Sequence, residues 1–210
     1  MKKDLTRIVI VLDRSGSMKS ILESTIAGYN EFVADQAKLG GECRVSVRLF
    51  DNQHDVLFDN VDIKDVPLLD TNTFVPRSTT ALYDAVGMAI TDLGTELASL
   101  KEEDRPEKVV VVVITDGYEN ASKDWTANRV KSSIEHQRNI YNWTFVFIGG
   151  GIDAKHTADA LSINKSVFFK NDMATTRKMF SKLSSDISDV RSMSTNAYTT
   201  YNTTSTSESL

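Results

Sequence analysis

Two stretches of this chain are apolar without alternation, residues 7–12 (Arg7-Ile8-Val9-Ile10-Val11-Leu12) and residues 109–115 (Val109-Val110-Val111-Val112-Val113-Ile114-Thr115). Unbroken runs of β-branched residues read as central strands of a parallel sheet, buried on both faces by helices. Residues 43–50 and 56–61 do alternate, around Asp51-Asn52-Gln53-His54. That is a hairpin signal, and it predicts one antiparallel strand at the edge of an otherwise parallel sheet. Helical periodicity appears over 19–39, where Ile21, Leu22, Ile26, Tyr29, Phe32 and Val33 share a face and Gly40-Gly41 closes the pattern. It appears again over 80–100, with Leu82, Val86, Ile90, Leu93, Leu97 and Leu100. Residues 64–78 carry Pro67 and Pro76 and read as irregular. Helix 124–139, strand 143–149, helix 153–161, strand 165–169 and helix 172–190 complete an alternation that implies right-handed crossovers. The predicted fold is α/β: a Rossmann-like, doubly wound, mostly parallel sheet with one antiparallel edge strand and helices on both faces.

The pattern stops at residue 191. From Ser192 to Leu210 the chain is dominated by Ser and Thr, with Tyr198 and Tyr201 as its large apolar residues. Such a segment buries too little to offset its ordering entropy, so residues 1–191 are expected to form one domain and 192–210 a disordered tail.

The apolar runs also place chemistry. Directly after residues 7–12 comes Asp13-Arg14-Ser15-Gly16-Ser17, and residues 109–115 end at Asp116-Gly117. Ser and Gly are ordinary turn residues and an Asp after a strand is an ordinary helix cap, so the pentapeptide alone decides nothing. Two central strands that both end in Asp are more telling, because neighbouring strands would bring both acids to the crevice where doubly wound sheets bind ligands. Thr79 and Thr80 stand at the mouth of the helix over 80–100; one is needed as its cap, and the other is free to face the same place. Carboxylates and hydroxyls are oxygen donors, which hard cations prefer.

Three ordered motifs, Asp-x-Ser-x-Ser at Asp13, Ser15 and Ser17, Thr-Ala-Leu-Tyr-Asp-Ala from Thr80, and Thr-Asp-Gly at 115–117, resemble the metal-ion-dependent adhesion site of von Willebrand factor type A domains. The segments Asp116-Gly117-Tyr118-Glu119-Asn120-Ala121-Ser122 and Trp143-Thr144-Phe145-Val146-Phe147-Ile148-Gly149 are further similar to small stand-alone members in bacteria and their phages. The resemblance covers roughly residues 5–190. It implies a Mg²⁺ (or Mn²⁺) site with Asp13, Ser15, Ser17, Thr80 and Asp116 as ligands. Where the family commonly has Gly-Gly before the metal-site Thr, this chain has Ser78-Thr79; Thr80 is chosen from its distance to Ala81-Leu82. Five oxygen groups leave one octahedral position open. The resemblance implies that an Asp or Glu of a partner protein fills it, in a protein-protein interaction domain without catalysis. A Mg²⁺-dependent phosphoryl or ester hydrolase is the competing reading, with Glu119 as the nearest further carboxylate, and a structural domain with an unused site is the third.

The remaining features narrow the field. The net charge of −5 and pI of about 5.3 supply no electrostatic footprint for nucleic acid or an anionic membrane. Met1-Lys2-Lys3-Asp4 leads straight into a strand pattern too short for a signal sequence, and Cys43 is the single cysteine, so a cytoplasmic location is expected. His54, His136 and His156 have no metal-ligand spacing to one another or to Cys43 and are expected as surface or packing residues. Gly149-Gly150-Gly151 matches no phosphate-loop sequence and is expected to shape a strand-to-helix turn beside the site. The acids at 51, 55, 59, 62, 65 and 70 are expected as a solvated rim, with Asp51 and Asp55 repelling wrong partners.

Overall fold

The unalternating runs pair side by side at the middle of a seven-stranded sheet, whose strands lie in the order 54–62, 42–50, 2–13, 106–115, 144–150, 165–169 and 206–209. The computed structural model describes residues 1–151 and 153–210. Strands β1 (Lys2–Asp13), β2 (Glu42–Phe50), β4 (Pro106–Thr115), β5 (Thr144–Gly150) and β6 (Lys165–Phe169) run parallel, and β3 (His54–Asp62) is antiparallel to β2 at one edge. Successive residues of β1 explain why its sequence does not alternate. Ile8, Ile10 and Leu12 pack against α1 (Leu22–Ala37) and α5 (Met173–Ser192), through Tyr29, Phe32, Phe180 and Leu183. Val9 and Val11 face α2 (Leu82–Ser99), α3 (Ala127–Tyr141) and α4 (Ala154–Ala160), through Val86, Ile90, Val130 and Ala158. Both faces are covered, and each central residue loses its exposed surface whichever way it points.

From β1 the chain winds outward to β2 and β3, then α2 carries it across to β4 on the other side of β1. Leu12 is level with Ile114, so the carboxyl ends of β1 and β4 open together at the point where the winding direction reverses.

Two expectations change. Residues 19–39 are not one helix: a 3-10 turn over Gly16–Ile21 precedes α1, which holds the Ser loop close to the sheet before the regular helix begins. Residues 192–210 are ordered, against the disorder expected of them. They form α6 (Thr195–Thr203) and β7 (Thr206–Ser209), and β7 pairs in parallel with β6 at the second edge of the sheet. The body of the protein holds this segment. Tyr198 is buried, and its hydroxyl donates to the carbonyl of Val109 at 2.8 Å and takes part in a hydrogen bond with Thr144 Oγ1 at 2.9 Å. Asn202 bonds Thr144 and Asn142, and Lys165 Nζ lies 3.6 Å over the ring of Tyr201. Lys108, itself buried, donates to the carbonyls of Arg191 and Met193 at the junction.

Candidate metal site at the carboxyl ends of β1 and β4

The structure brings Asp13, Ser15, Ser17, Thr80 and Asp116 to one place. Ser17 Oγ donates to Asp116 Oδ1 at 2.6 Å, Ser15 Oγ and Ser17 Oγ are 3.0 Å apart, and Thr115 Oγ1 donates to Asp13 Oδ2 at 2.6 Å. Thr80 joins from the other side. A Cβ placed on Gly117 would stand 2.7 Å from Thr80 Oγ1 and 3.2 Å from both Asp13 Oδ2 and Ser15 Oγ. Three oxygens from two loops, the one after β1 and the one before α2, therefore surround one point that only a residue without a side chain leaves open. Thr79 is exposed whereas Thr80 is buried, which puts the second of the two threonines at the site.

Helix capping does not account for these hydroxyls. Ser15 precedes the 3-10 turn without a side-chain cap, and Ala81 occupies the equivalent position at α2, also without one. The first amides of α2 are satisfied from elsewhere in the chain: Tyr83 N donates to Glu119 Oε2 and Asp84 N to Ser122 Oγ. Asp84 returns the contact by accepting from the amides of Lys123, Asp124 and Trp125. Sequence reasoning missed Asp84 and this reciprocal clamp. An acid in the first turn of a helix was its one visible signal. Glu119, the nearest candidate for a general base, accepts from three amides and the Ser122 hydroxyl, and is committed to holding the loop after β4.

The two site acids sit in an unfavourable field. Burial pushes the Asp13 carboxyl up to about 6, although the hydroxyl of Thr115 and the amide and hydroxyl of Ser15 hold it down, and the Asp116 charge raises it further. Burial raises Asp116 as well. Asp116 Oδ2 is buried and has no hydrogen-bond partner among the described residues. A buried carboxylate oxygen with no donor is costly, and a hard cation is the partner that this all-oxygen donor set suits. Among the described residues no group of three or more His, Cys, Asp or Glu is placed to hold a metal, so the chemistry depends on hydroxyls beside two carboxylates.

The surrounding residues are arranged differently from expectation. Asp51 is fully buried rather than part of a solvated rim, because Arg14 and Arg77, from two other loops, converge on it. Asp55 is half exposed and pairs with the same arginines, and Asp59 pairs with buried Arg7. Gly149 and Gly150 end β5, and Gly151 turns out of it with φ of +86°; a Cβ on Gly150 would stand 3.0 Å from Cβ of Asp116. His54 is half-buried with its imidazole lowered by that burial, and His136 packs edge-on against Tyr141.

The chain belongs to the von Willebrand factor type A domain family, whose model matches residues 8–182. No curated protein matches it by sequence. Among solved structures it is similar to the von Willebrand factor domain of the type V pili tip protein Mfa5 from Porphyromonas gingivalis, with a TM-score of 0.62 at 12% identity over 90% of this chain and 97% of that one. A variant of the PilB minor pilin from Streptococcus sanguinis gives 0.59 at 12% identity over 89% of this chain and 62% of that one. Proximal thread matrix protein 1 from the mussel byssus, solved with a zinc-occupied MIDAS motif, gives 0.55 at 15% identity over 87% and 46%. The chain thus spans less than two thirds of the pilin and under half of the byssus protein. At these identities the likeness is one of fold. Among the described residues no helix is long and apolar enough to cross a membrane.

Proposed function

We propose that this chain is a divalent-metal-dependent protein-interaction domain, in which Asp13, Ser15, Ser17, Thr80 and Asp116 hold Mg²⁺ or Mn²⁺ and a carboxylate of a partner protein completes the shell. The observation that carries the reading is the meeting of Thr80 Oγ1, Asp13 Oδ2 and Ser15 Oγ around Gly117, beside the unpartnered Asp116 Oδ2. When bound, the cation would supply an electropositive position at the protein surface. The chain's own part is to present oxygens, three of them neutral hydroxyls, so that much of the positive charge is left for an acidic side chain. The byssus protein with zinc at its MIDAS motif supports the same use of this corner of the fold. No catalysis is proposed, since Glu119 is engaged in loop contacts. Two surface clefts, of about 930 and 990 Å³, lie away from these five residues, one beside α6 and β7 and the other between α2 and α3.

Calorimetric titration with Mg²⁺ and Mn²⁺ tests the reading: binding is expected, with a rise in melting temperature that Asp13→Ala abolishes. No binding at millimolar metal would remove the assignment. Removing the partner's Asp or Glu should release it as fully as EDTA does, a loss of roughly 2–4 kcal/mol.

A further inference from the structure

Asp51 lies outside the donor set, yet it ties two of the loops that supply it. Its carboxylate Oδ2 is 2.6 Å from Arg77 Nε and 3.2 Å from Arg14 Nε, and its Oδ1 accepts from the amide of Gln53 at 2.7 Å. Its main-chain carbonyl accepts from Ala81, the residue after Thr80, at 2.8 Å. Arg14 stands between Asp13 and Ser15; its amide donates to the carbonyl of Phe50, and its carbonyl accepts from Arg77, each at 2.8 Å. Gly16 donates to the carbonyl of Ser78 at 3.1 Å. Both of these loops are therefore fastened to the end of β2 within one residue of a proposed ligand.

We infer that Asp51 is a positioning residue for the metal site, setting the distance between the Ser15 loop and Thr80 through Arg14, Arg77 and the amide of Ala81 without touching the cation. The inference rests on the ligand assignment proposed above. A buried ion pair adds little net stability compared with well-packed apolar residues, so stability alone is a weak reason for placing a fully buried carboxylate between two arginines here. Fixing geometry is a stronger reason, because a hydroxyl ligand displaced by a fraction of an ångström is lost to a small cation. The same β1 strand supplies an internal control. Arg7, at its middle, is also buried and bonds Asp59 and Glu96 at 3.1 and 3.0 Å, roughly 20 Å from Asp13 at the rise of a strand.

The test titrates Mn²⁺ into the full chain and four variants, with the melting temperature of each in EDTA as the measure of folding. Wild-type protein that binds no Mn²⁺ overturns the ligand assignment and this inference together. With wild-type binding in hand, Asp51→Asn and Arg77→Met are expected to weaken Mn²⁺ affinity roughly 10–100-fold, as loss of a group that orients ligands does. Arg77→Lys, which keeps the charge beside Asp51, should recover most of that loss. Asp59→Asn should lower the melting temperature and leave affinity unchanged. A folded Asp51→Asn chain within about twofold of wild-type affinity would overturn the inference, as would Asp59→Asn weakening binding equally. Should Asp51→Asn fail to fold, Arg77→Met decides by the same criterion, since Arg77 is half exposed.

Discussion

Hydroxyl side chains crowd two parts of this molecule, the site loops and the C-terminal segment, and the two uses are opposite. In α6 Thr195 reaches Glu107, but the other three threonine hydroxyls bond locally: Thr199 to the carbonyl of Thr195, Thr200 to that of Asn196 and Thr203 to that of Thr200. Each is satisfied within its own helix, and the segment is fastened to the body through Tyr198 and Asn202. At the site Ser17 reaches Asp116 and Thr115 reaches Asp13, about a hundred residues away in sequence, and a buried carboxylate oxygen is left over. Locally satisfied hydroxyls finish a helix. Hydroxyls assembled from distant loops around carboxylates raised by burial make the oxygen-lined corner for which a cation is proposed above.

The sharpest way to break this comparison is at Tyr198. Tyr198→Ala should cost about 3–5 kcal/mol in urea unfolding, the usual loss for a buried aromatic, and should make residues after 192 the first to be cut by protease. Mn²⁺ affinity should not move. If it falls with stability, the two regions are coupled and the contrast between them fails.

Asp13 predicts a change of the other sign. Its carboxyl, at about 6 against an ordinary 3.8, binds its proton more tightly in the folded chain than in the unfolded one. The stability this confers is fully present below about pH 4 and is lost as pH rises through 6. In EDTA at pH 7, Asp13→Asn should therefore be more stable than wild type by up to about 3 kcal/mol while losing its response to metal. Melting curves of the two proteins between pH 4 and 7 check this. A constant difference across that range would contradict it.

The pair Thr79 and Thr80 should separate by a smaller margin. Thr80→Ala should weaken Mn²⁺ binding about tenfold, or roughly 1.4 kcal/mol, with the fold intact. Thr79→Ala, at an exposed position, should stay within about 0.5 kcal/mol in stability and leave affinity alone. An effect smaller than that of Thr80→Ala belongs to Ser78, which adopts a left-handed φ of +63° beside Gly16. Ser78→Gly should add about 0.5–1 kcal/mol, since relief of the Cβ clash slightly exceeds glycine's entropy cost. Calorimetry with and without Mn²⁺ tests both.

What the sequence determined by itself was whatever one strand or helix could report about its own surroundings. Residues 7–12 and 109–115 announced central strands because burial on both faces leaves its mark on every residue, and the turn after each announced an acid at its end. Helix and strand order followed, as did the antiparallel edge around Asp51-Asn52-Gln53-His54, because periodicity is local. Only the tertiary structure decided which polar groups meet. Asp51 read as a rim acid because its arginines, Arg14 and Arg77, lie 37 and 26 residues away on other loops. Glu119 read as a spare carboxylate because the amide it caps, that of Tyr83, belongs to another element. Residues 192–210 read as disordered because their own composition cannot order them; the surfaces that do, at Val109, Thr144 and Lys165, belong to the body of the sheet. A polar side chain's sequence neighbours record neither its burial nor its charge partner, since both are set by contacts that exist only once the distant strands have paired.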